Sequence, residues 1–217
     1  FGYGLVTYQT AYLKAHYPVE YAACLLTSVK SNLDKAAVYL SDCRAAGITV
    51  LTPDVNRSVT DFDAVVNDGR AEITFGLSAV RNVGAGLVEL LLGERAENGS
   101  YDSFHDFAER VPEPVLNKRL VESLIKAGAF DNLGHPRKGL LASFEQIIDT
   151  TVDRRRERDK GVMSLFGDWG DEPAADTGFS ERIDIPDEEF DKTERLKFEK
   201  EMLGLYVSDH PLMGAEA

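Results

Sequence analysis

One stretch decides the fold of this chain: Phe75-Gly76-Leu77-Ser78-Ala79-Val80-Arg81-Asn82-Val83-Gly84-Ala85-Gly86-Leu87-Val88-Glu89-Leu90-Leu91-Leu92. It predicts a short helix, a tight Gly84-Ala85-Gly86 turn and a longer apolar helix. Because glycine lacks a Cβ, Gly84 and Gly86 are expected to adopt unusual backbone dihedrals and to approach another surface closely. The stretch therefore predicts two helices joined by a hairpin.

The start of the second predicted helix is suited to a phosphate group. Its first N–H groups have no partner inside the helix and lie at the positive end of the helix dipole. A hairpin of this kind grips a nucleic-acid backbone without reading bases, and its candidate contact residues are Arg81, Val83, Gly84, Ala85 and Gly86. The alternative is an ordinary helical hairpin, in which glycine serves only the turn.

Charge is unevenly distributed along the chain. The 217 residues carry a net charge of −13, with −7 in residues 61–114, +3 in residues 115–160 and −10 in residues 161–217. A protein that binds DNA on its own usually has a basic face. Any phosphate contact must therefore rest on backbone N–H groups and a few cations, and we expect it to be weak in isolation.

Hydrophobic spacing and turn residues predict a mainly α chain with a small β element, an α+β fold. Helices are predicted at 5–15, 19–28, 33–46, 103–110, 116–127, 137–160 and 187–203. Ser103 is predicted to cap the start of the helix at 103–110, and Gly128 to end the helix at 116–127 in a left-handed conformation. A short strand at 48–51 precedes a β-hairpin over 62–75, whose turn contains Asp68-Gly69. Segments 77–92 and 116–131 are predicted to be two halves of a doubled hairpin, followed by a linker from about residue 161.

The sequence contains no pattern typical of a catalytic or metal centre. It has no Gly-x-x-x-x-Gly-Lys loop, no paired aspartates on a strand and no Cys or His spacing for a metal. It also has no apolar run of about 18 residues and no signal peptide, so we expect a soluble intracellular chain.

Two further segments are candidate binding sites. Gln9, Lys14 and His16 are potential donors to a nucleotide or phosphate, against the alternative of a plain solvated helix face. The run Val162-Met163-Ser164-Leu165-Phe166 is a candidate anchor for the apolar pocket of a partner. In the alternative interpretation, Leu165 and Phe166 fold back onto their own domain.

Five ordered motifs together resemble the bacterial C-family replicative DNA polymerases. They lie at 3–18, 51–56, 75–86, 116–131 and 203–212 and cover essentially the whole chain. The resemblance implies that residues 1–70 are the later fingers region and 71–160 a tandem helix-hairpin-helix domain that holds duplex DNA. It also implies a flexible linker with a clamp-binding-like motif at 161–186, and a helix at 187–217 that leads towards an OB-type domain.

The resemblance also assigns residues and partners. It places Gln9, Lys14 and His16 near the nucleotide or template, and adds Lys118 and Arg119 to the DNA contacts. The implied partners are primer-template DNA, the sliding clamp and other replisome subunits in the cytoplasm, with no membrane. The clamp motif of the family usually begins with Gln, where this chain has Val162, although Leu165 and Phe166 are kept.

The metal-binding aspartates of the family's palm domain are missing from this sequence. We therefore expect no polymerase activity from the chain alone and no cofactor in this segment, with Mg²⁺ implied only for the intact polymerase. Two other interpretations stay open. One is a free-standing, non-catalytic helix-hairpin-helix module that binds DNA, and the other is a fragment that recruits the clamp.

Overall fold

The computed structural model describes residues 1–67, 69–159, 182–204 and 206–208 as a mainly helical chain with one three-stranded sheet. The α-helices are α1 (Gly2–His16), α2 (Pro18–Ser28), α3 (Leu33–Ala45), α4 (Ala85–Asn98), α5 (Phe104–Arg110), α6 (Lys118–Ala127), α7 (Arg137–Asp159) and α8 (Lys192–Leu203). The strands are β1 (Thr49–Leu51), β2 (Asp63–Asn67) and β3 (Arg70–Thr74). The predicted α+β class is confirmed.

The sheet has the order β1-β3-β2 and joins the first three helices to the rest of the chain. β2 and β3 form the predicted antiparallel hairpin, with Asn67 opposite Arg70. β1 runs parallel to β3, with Val50 opposite Ile73. This parallel pairing was not predicted, because three residues of strand carry no signal for a partner more than 20 residues away.

Gly76 connects the sheet to the predicted hairpin through a close backbone contact. A Cβ built on Gly76 would lie 2.5 Å from the carbonyl carbon of Asp61, so only glycine fits here. The next two amides, of Leu77 and Ser78, donate at 3.0 Å to the carbonyls of Val59 and Thr60. The loop before β2 therefore holds the residues that open the hairpin.

An aromatic cluster forms the centre of the helical part. The rings of Phe104, Phe107 and Phe130 are fully buried, and Phe107 meets Phe130 edge-to-face with ring centroids 4.9 Å apart. Ser103 begins α5 by accepting a hydrogen bond from the amide of Asp106 at 3.1 Å, and Gly128 ends α6 with a left-handed φ of 85°. Both cap assignments were predicted and are confirmed.

The described residues from 182 to 208 form a C-terminal arm that packs on α5, α6 and α7. A helix was predicted from residue 187, but α8 begins only at Lys192, with Asp191 as its cap. Residues 182–190 have no regular secondary structure, and Ile183 and Ile185 pack against the core. Tertiary contacts explain the difference, because the carbonyl of Glu188 accepts from Gly139 of α7 at 3.0 Å and is unavailable to a helix.

Helix α1 lies outside the core. None of its residues is buried, and α2 is its main neighbour. Its exposed side chains include Tyr3, Tyr8 and Tyr12. Among the described residues, no helix is both long and apolar enough to cross a membrane.

Candidate nucleic-acid interface

The first hairpin (residues 77–98) consists of a short 3-10 helix, a turn and α4. Val80 and Val83 of the turn are buried, whereas Arg81 and Asn82 are exposed. Asn82 has a φ of 64° and is the left-handed residue of the turn. The predicted Gly84-Ala85-Gly86 turn with unusual dihedrals is therefore wrong. Gly84 has a φ of −81° and a ψ of 140°, which suit any residue, and Ala85 and Gly86 already belong to α4. Asn82 can adopt the left-handed conformation because its short polar side chain tolerates positive φ values.

The start of α4 is open towards solvent. Gly84 supplies no side-chain cap, and the first amides with a helical partner are those of Leu87 and Val88, both bonded to the carbonyl of Gly84 at 3.1 Å. In the described part of the chain, the N–H groups of Ala85 and Gly86 have no hydrogen-bond partner. A Cβ built on Gly84 or Gly86 meets no atom within 4 Å. The fold leaves room here for an external oxyanion.

The second hairpin (residues 104–127) starts its second helix differently. The side-chain oxygen of Asn117 accepts hydrogen bonds from the amides of Arg119 at 3.0 Å and Leu120 at 3.2 Å. This cap satisfies donors that a phosphate would otherwise use. The start of α6 is therefore less suited than that of α4 to bind an anion through its backbone.

The two predicted cations of the second hairpin have different surroundings. Lys118 Nζ donates to Asp149 Oδ2 at 2.8 Å and lies 3.5 Å from Glu145 Oε2, both on α7. The hydrogen bond to Asp149 is the main reason why the pKa of Lys118 is raised. Arg119 is exposed and forms no ion pair with any described residue. Of the two side chains, only Arg119 is available to a phosphate.

The two hairpins pack against each other. Leu87 and Val88 of α4 line the same apolar contact as Leu120 and Leu124 of α6. The side-chain amide Nδ2 of Asn82 also donates to the hydroxyl of Ser123 at 3.1 Å. The segments 77–92 and 116–131, which the sequence paired as a doubled hairpin, are thus brought together.

The three candidate residues of α1 do not form one site. Gln9 and His16 are two turns apart on one face, and His16 lies against the ring of Tyr12 with centroids separated by 4.2 Å. Lys14 lies on a different face, beside a cavity of about 260 Å³ lined also by Tyr21 and Asp42. All three candidates are exposed.

Two other predictions concern sites of a different kind. The clamp-like run Val162-Met163-Ser164-Leu165-Phe166 lies outside the described residues. Within the described ranges, no three His, Cys, Asp or Glu side chains come together as a possible metal site.

Sequence reasoning missed two residues that shape the interface. Asn117 follows a proline-containing turn and precedes a helix, which is a cap signal, but it was placed inside the predicted helix. Asn82 carries a weaker signal, because asparagine is tolerated in left-handed turns. No local sequence pattern indicates the hydrogen bond of 3.0 Å from the amide of Arg81 to the carbonyl of Met202, because the two residues are far apart in sequence.

The paired hairpins have the arrangement of a helix-hairpin-helix motif. A family model described as a helix-hairpin-helix motif matches residues 47–140, which include both hairpins and the strand hairpin before them.

Curated relatives extend the similarity to nearly the whole chain. The DNA polymerase III subunit alpha of Mycobacterium tuberculosis strain H37Rv is 50% identical over 98% of this chain, which covers 18% of that protein. The same subunit of Saccharopolyspora erythraea is 49% identical over 99% of the chain, and that of Thermus aquaticus 44% identical over 97%. Nearly the whole chain is thus similar to one segment of DNA polymerase III alpha subunits. It spans less than a fifth of the length of these relatives.

Proposed function

We propose that this chain holds duplex DNA through its phosphate backbone, as part of a polymerase that copies a primed template. The open start of α4 carries the proposal. Free amides at Ala85 and Gly86 lie at the positive end of a helix of 14 residues, and the exposed Arg81 is close in sequence. Arg119 adds a second cation from the neighbouring hairpin.

The contact is independent of base sequence and weak in isolation. Backbone amides bind phosphate oxygens, which are the same at every step of a duplex. Arg81 and Arg119 form no ion pair with any described residue, so we expect the logarithm of the affinity to fall with the logarithm of salt concentration with a slope of only about −2. The net charge of −13 works against tighter binding by the chain alone.

The wider role follows from the polymerase relatives and from the sequence motifs. We propose that Gln9, Lys14 and His16 lie near the nucleotide or template in the longer protein, and that residues 162–166 help to recruit the sliding clamp. Mg²⁺ is proposed only for the longer polymerase, and other replisome subunits are its further partners. The chain alone is expected to be inactive in primer extension.

The test compares three glycines of the same chain. Gly84→Val and Gly86→Leu place side chains over the free amides, and the ordinary backbone and open space at both positions accept them. Binding of a fluorescently labelled duplex, followed by anisotropy at low salt, is expected to weaken about ten-fold, which corresponds to the loss of charge-assisted hydrogen bonds.

Gly93→Leu is the matched control. Gly93 lies two turns further along α4, is exposed, and also has no atom within 4 Å of a built Cβ. This variant is expected to bind the duplex like the wild type. Equal affinities for all three variants would show that the start of α4 does not contact the backbone.

A further inference from the structure

Arg137 and Glu199 form an ion pair in the interior of the protein. Their exposed fractions are 1% and 0%, and Arg137 Nη2 lies 3.1 Å from Glu199 Oε1. Burying two charges costs desolvation energy, and an apolar pair often stabilises a fold equally well. The pair is therefore a candidate for a role in fixing geometry.

Each partner is held by further hydrogen bonds. Arg137 forms a two-pronged contact with Asp131, from Nε to Oδ1 at 2.9 Å and from Nη2 to Oδ2 at 2.6 Å. The carboxylate of Glu199 also accepts from the amide of Ser208 at 3.1 Å and from its hydroxyl at 2.8 Å. Bidentate contacts of this kind define orientation as well as distance.

The pair joins the second hairpin to α8 and, through α8, to the first hairpin. Asp131 and Arg137 follow the end of α6, whereas Glu199 lies on α8. Three residues beyond Glu199, the carbonyl of Met202 accepts the hydrogen bond of 3.0 Å from the amide of Arg81. A shift of α8 along its axis would therefore displace the turn that precedes α4.

The turn at residues 80–84 depends on such outside support. The helix before it has only three residues, and α4 has no side-chain cap. Among the described residues, two hydrogen bonds connect this turn to elements outside the first hairpin: Arg81 to Met202 and Asn82 to Ser123. One of these two hydrogen bonds is therefore made to α8.

We propose that Arg137 and Glu199 are positioning residues that hold the first hairpin in register with the second, so that both grip one duplex. The inference rests on the proposed function. Two weak contacts at a fixed separation reinforce each other, because the second contact forms within a complex that already exists. Without the ion pair, α8 loses its fixed register and the two hairpins bind one at a time.

The experiment measures how strongly the two hairpins depend on each other in the full 217-residue chain. Glu199→Gln weakens the buried pair while keeping the shape of the side chain. Glu188→Gln, on the same arm as Glu199, is the matched control, because it removes a carboxylate from an exposed 2.9 Å pair with Lys138 of α7. Each variant is combined with Arg119→Ala, and duplex affinity is measured by anisotropy.

In the wild type and in Glu188→Gln, Arg119→Ala is expected to weaken duplex binding about five-fold. In Glu199→Gln the same change is expected to cost less than about two-fold, because the hairpins no longer engage together. A loss of general stability does not produce this pattern. An equal cost of Arg119→Ala in all three backgrounds would overturn the proposal.

Hydrogen exchange at the amide of Arg81 tests the structural coupling without DNA. We expect Glu199→Gln to speed this exchange about ten-fold relative to the core amide of Ile73, through local opening at the turn. Unchanged exchange would overturn the proposal. If the wild type does not bind the duplex, the proposed function fails, and this exchange alone decides the coupling. Arg137→Lys, which keeps the charge but loses the two-pronged contact, replaces Glu199→Gln if the latter does not fold.

Discussion

Lys118 Nζ donates to Asp149 Oδ2 at 2.8 Å, so a cation at the start of α6, the second helix of the second hairpin, is held by α7. The same lysine lies 3.5 Å from Glu145. These acids compete with any phosphate that approaches α6. The structure thus limits duplex binding through its own surface charges.

Asp149→Asn is expected to release Lys118 for a phosphate. Duplex affinity should rise about two-fold to three-fold, and the salt dependence should become steeper by about one unit. Anisotropy titrations at several salt concentrations measure both quantities. Asp153→Asn is the control, because Asp153 is one turn further along α7 and lies 4.0 Å from Arg156 instead. An equal gain from the two variants would indicate a general effect of charge.

Gly128→Ala is expected to destabilise the protein by more than left-handed backbone strain alone. The guanidinium of Arg137 occupies the space that a Cβ would need, and φ at Gly128 is 85°. We expect a loss of at least about 2 kcal/mol in the free energy of unfolding. Urea denaturation measures it.

Gly134→Ala separates the two contributions to that loss. Gly134 also has a left-handed φ, of 77°, but no atom lies within 4 Å of a built Cβ. It should cost only about 1 kcal/mol, from backbone strain. Equal losses of stability at the two glycines would mean that the Arg137 side chain moves away from a Cβ at residue 128 without a cost in free energy.

Mild acid is expected to loosen the C-terminal arm at His105. Burial lowers the pKa of this imidazole, although Nε2 bonds at 3.0 Å to the carbonyl of Ile183. Arg182 of the arm and Arg154 of α7 lower it further, while Glu109 opposes them. The nearby His135 has a lowered pKa for the same main reason, burial, and its buried Nε2 has no described partner.

The sign of the effect follows from linkage. Below the unperturbed histidine pKa of about 6.5, the unfolded chain takes up protons that the folded chain resists. The buried imidazole therefore contributes fully to the free energy of unfolding above this pH. The contribution is lost as the pH falls from this value towards the lowered pKa of the folded state. Thermal unfolding between about pH 7.5 and 5.5 should show this decline, and His105→Gln should make it shallower while the contribution of His135 stays. His16→Gln, which removes an exposed imidazole from α1, should leave the decline intact.

Phe166→Ala is expected to abolish capture of the chain by an immobilised bacterial sliding clamp. Aromatic anchors commonly supply most of the energy of such short motifs. Trp169→Ala is the control, since it removes a large aromatic residue three positions later. Full capture of the Phe166 variant would place the anchor elsewhere, and absence of capture by the wild type would contradict the clamp proposal.

Local signals predicted most of the fold. The caps at Ser103 and Gly128, the strand hairpin around Gly69 and the helical spacing of α6 each depend on neighbouring residues. These local signals could not predict contacts between residues that are distant in sequence. The parallel partner of β1 and the irregular course of residues 182–190 are set by tertiary packing, which overrides local preference.

The candidate interface was predicted in outline and changed in detail. Glycines at the start of α4 were found from the sequence, but the left-handed residue is Asn82. Lys118 and Arg119 were assigned alike, because a sequence does not show that Asp149 lies beside one of them. The opposite surroundings of these neighbouring cations appear only in three dimensions.

The capping of α7 by the C-terminal arm determines where an expressed fragment of the protein can end. Glu189 Oε2 accepts from the amide of Arg137 at 3.1 Å, and Glu188 accepts from Gly139, so the start of α7 is completed by residues about 50 positions later. The family match ends at residue 140. A truncation at this residue, or at the end of α7, removes both partners and also leaves the Arg137 guanidinium without its ion pair to Glu199. The smallest expression unit of the paired hairpins therefore reaches Ser208, well past the recognisable motif.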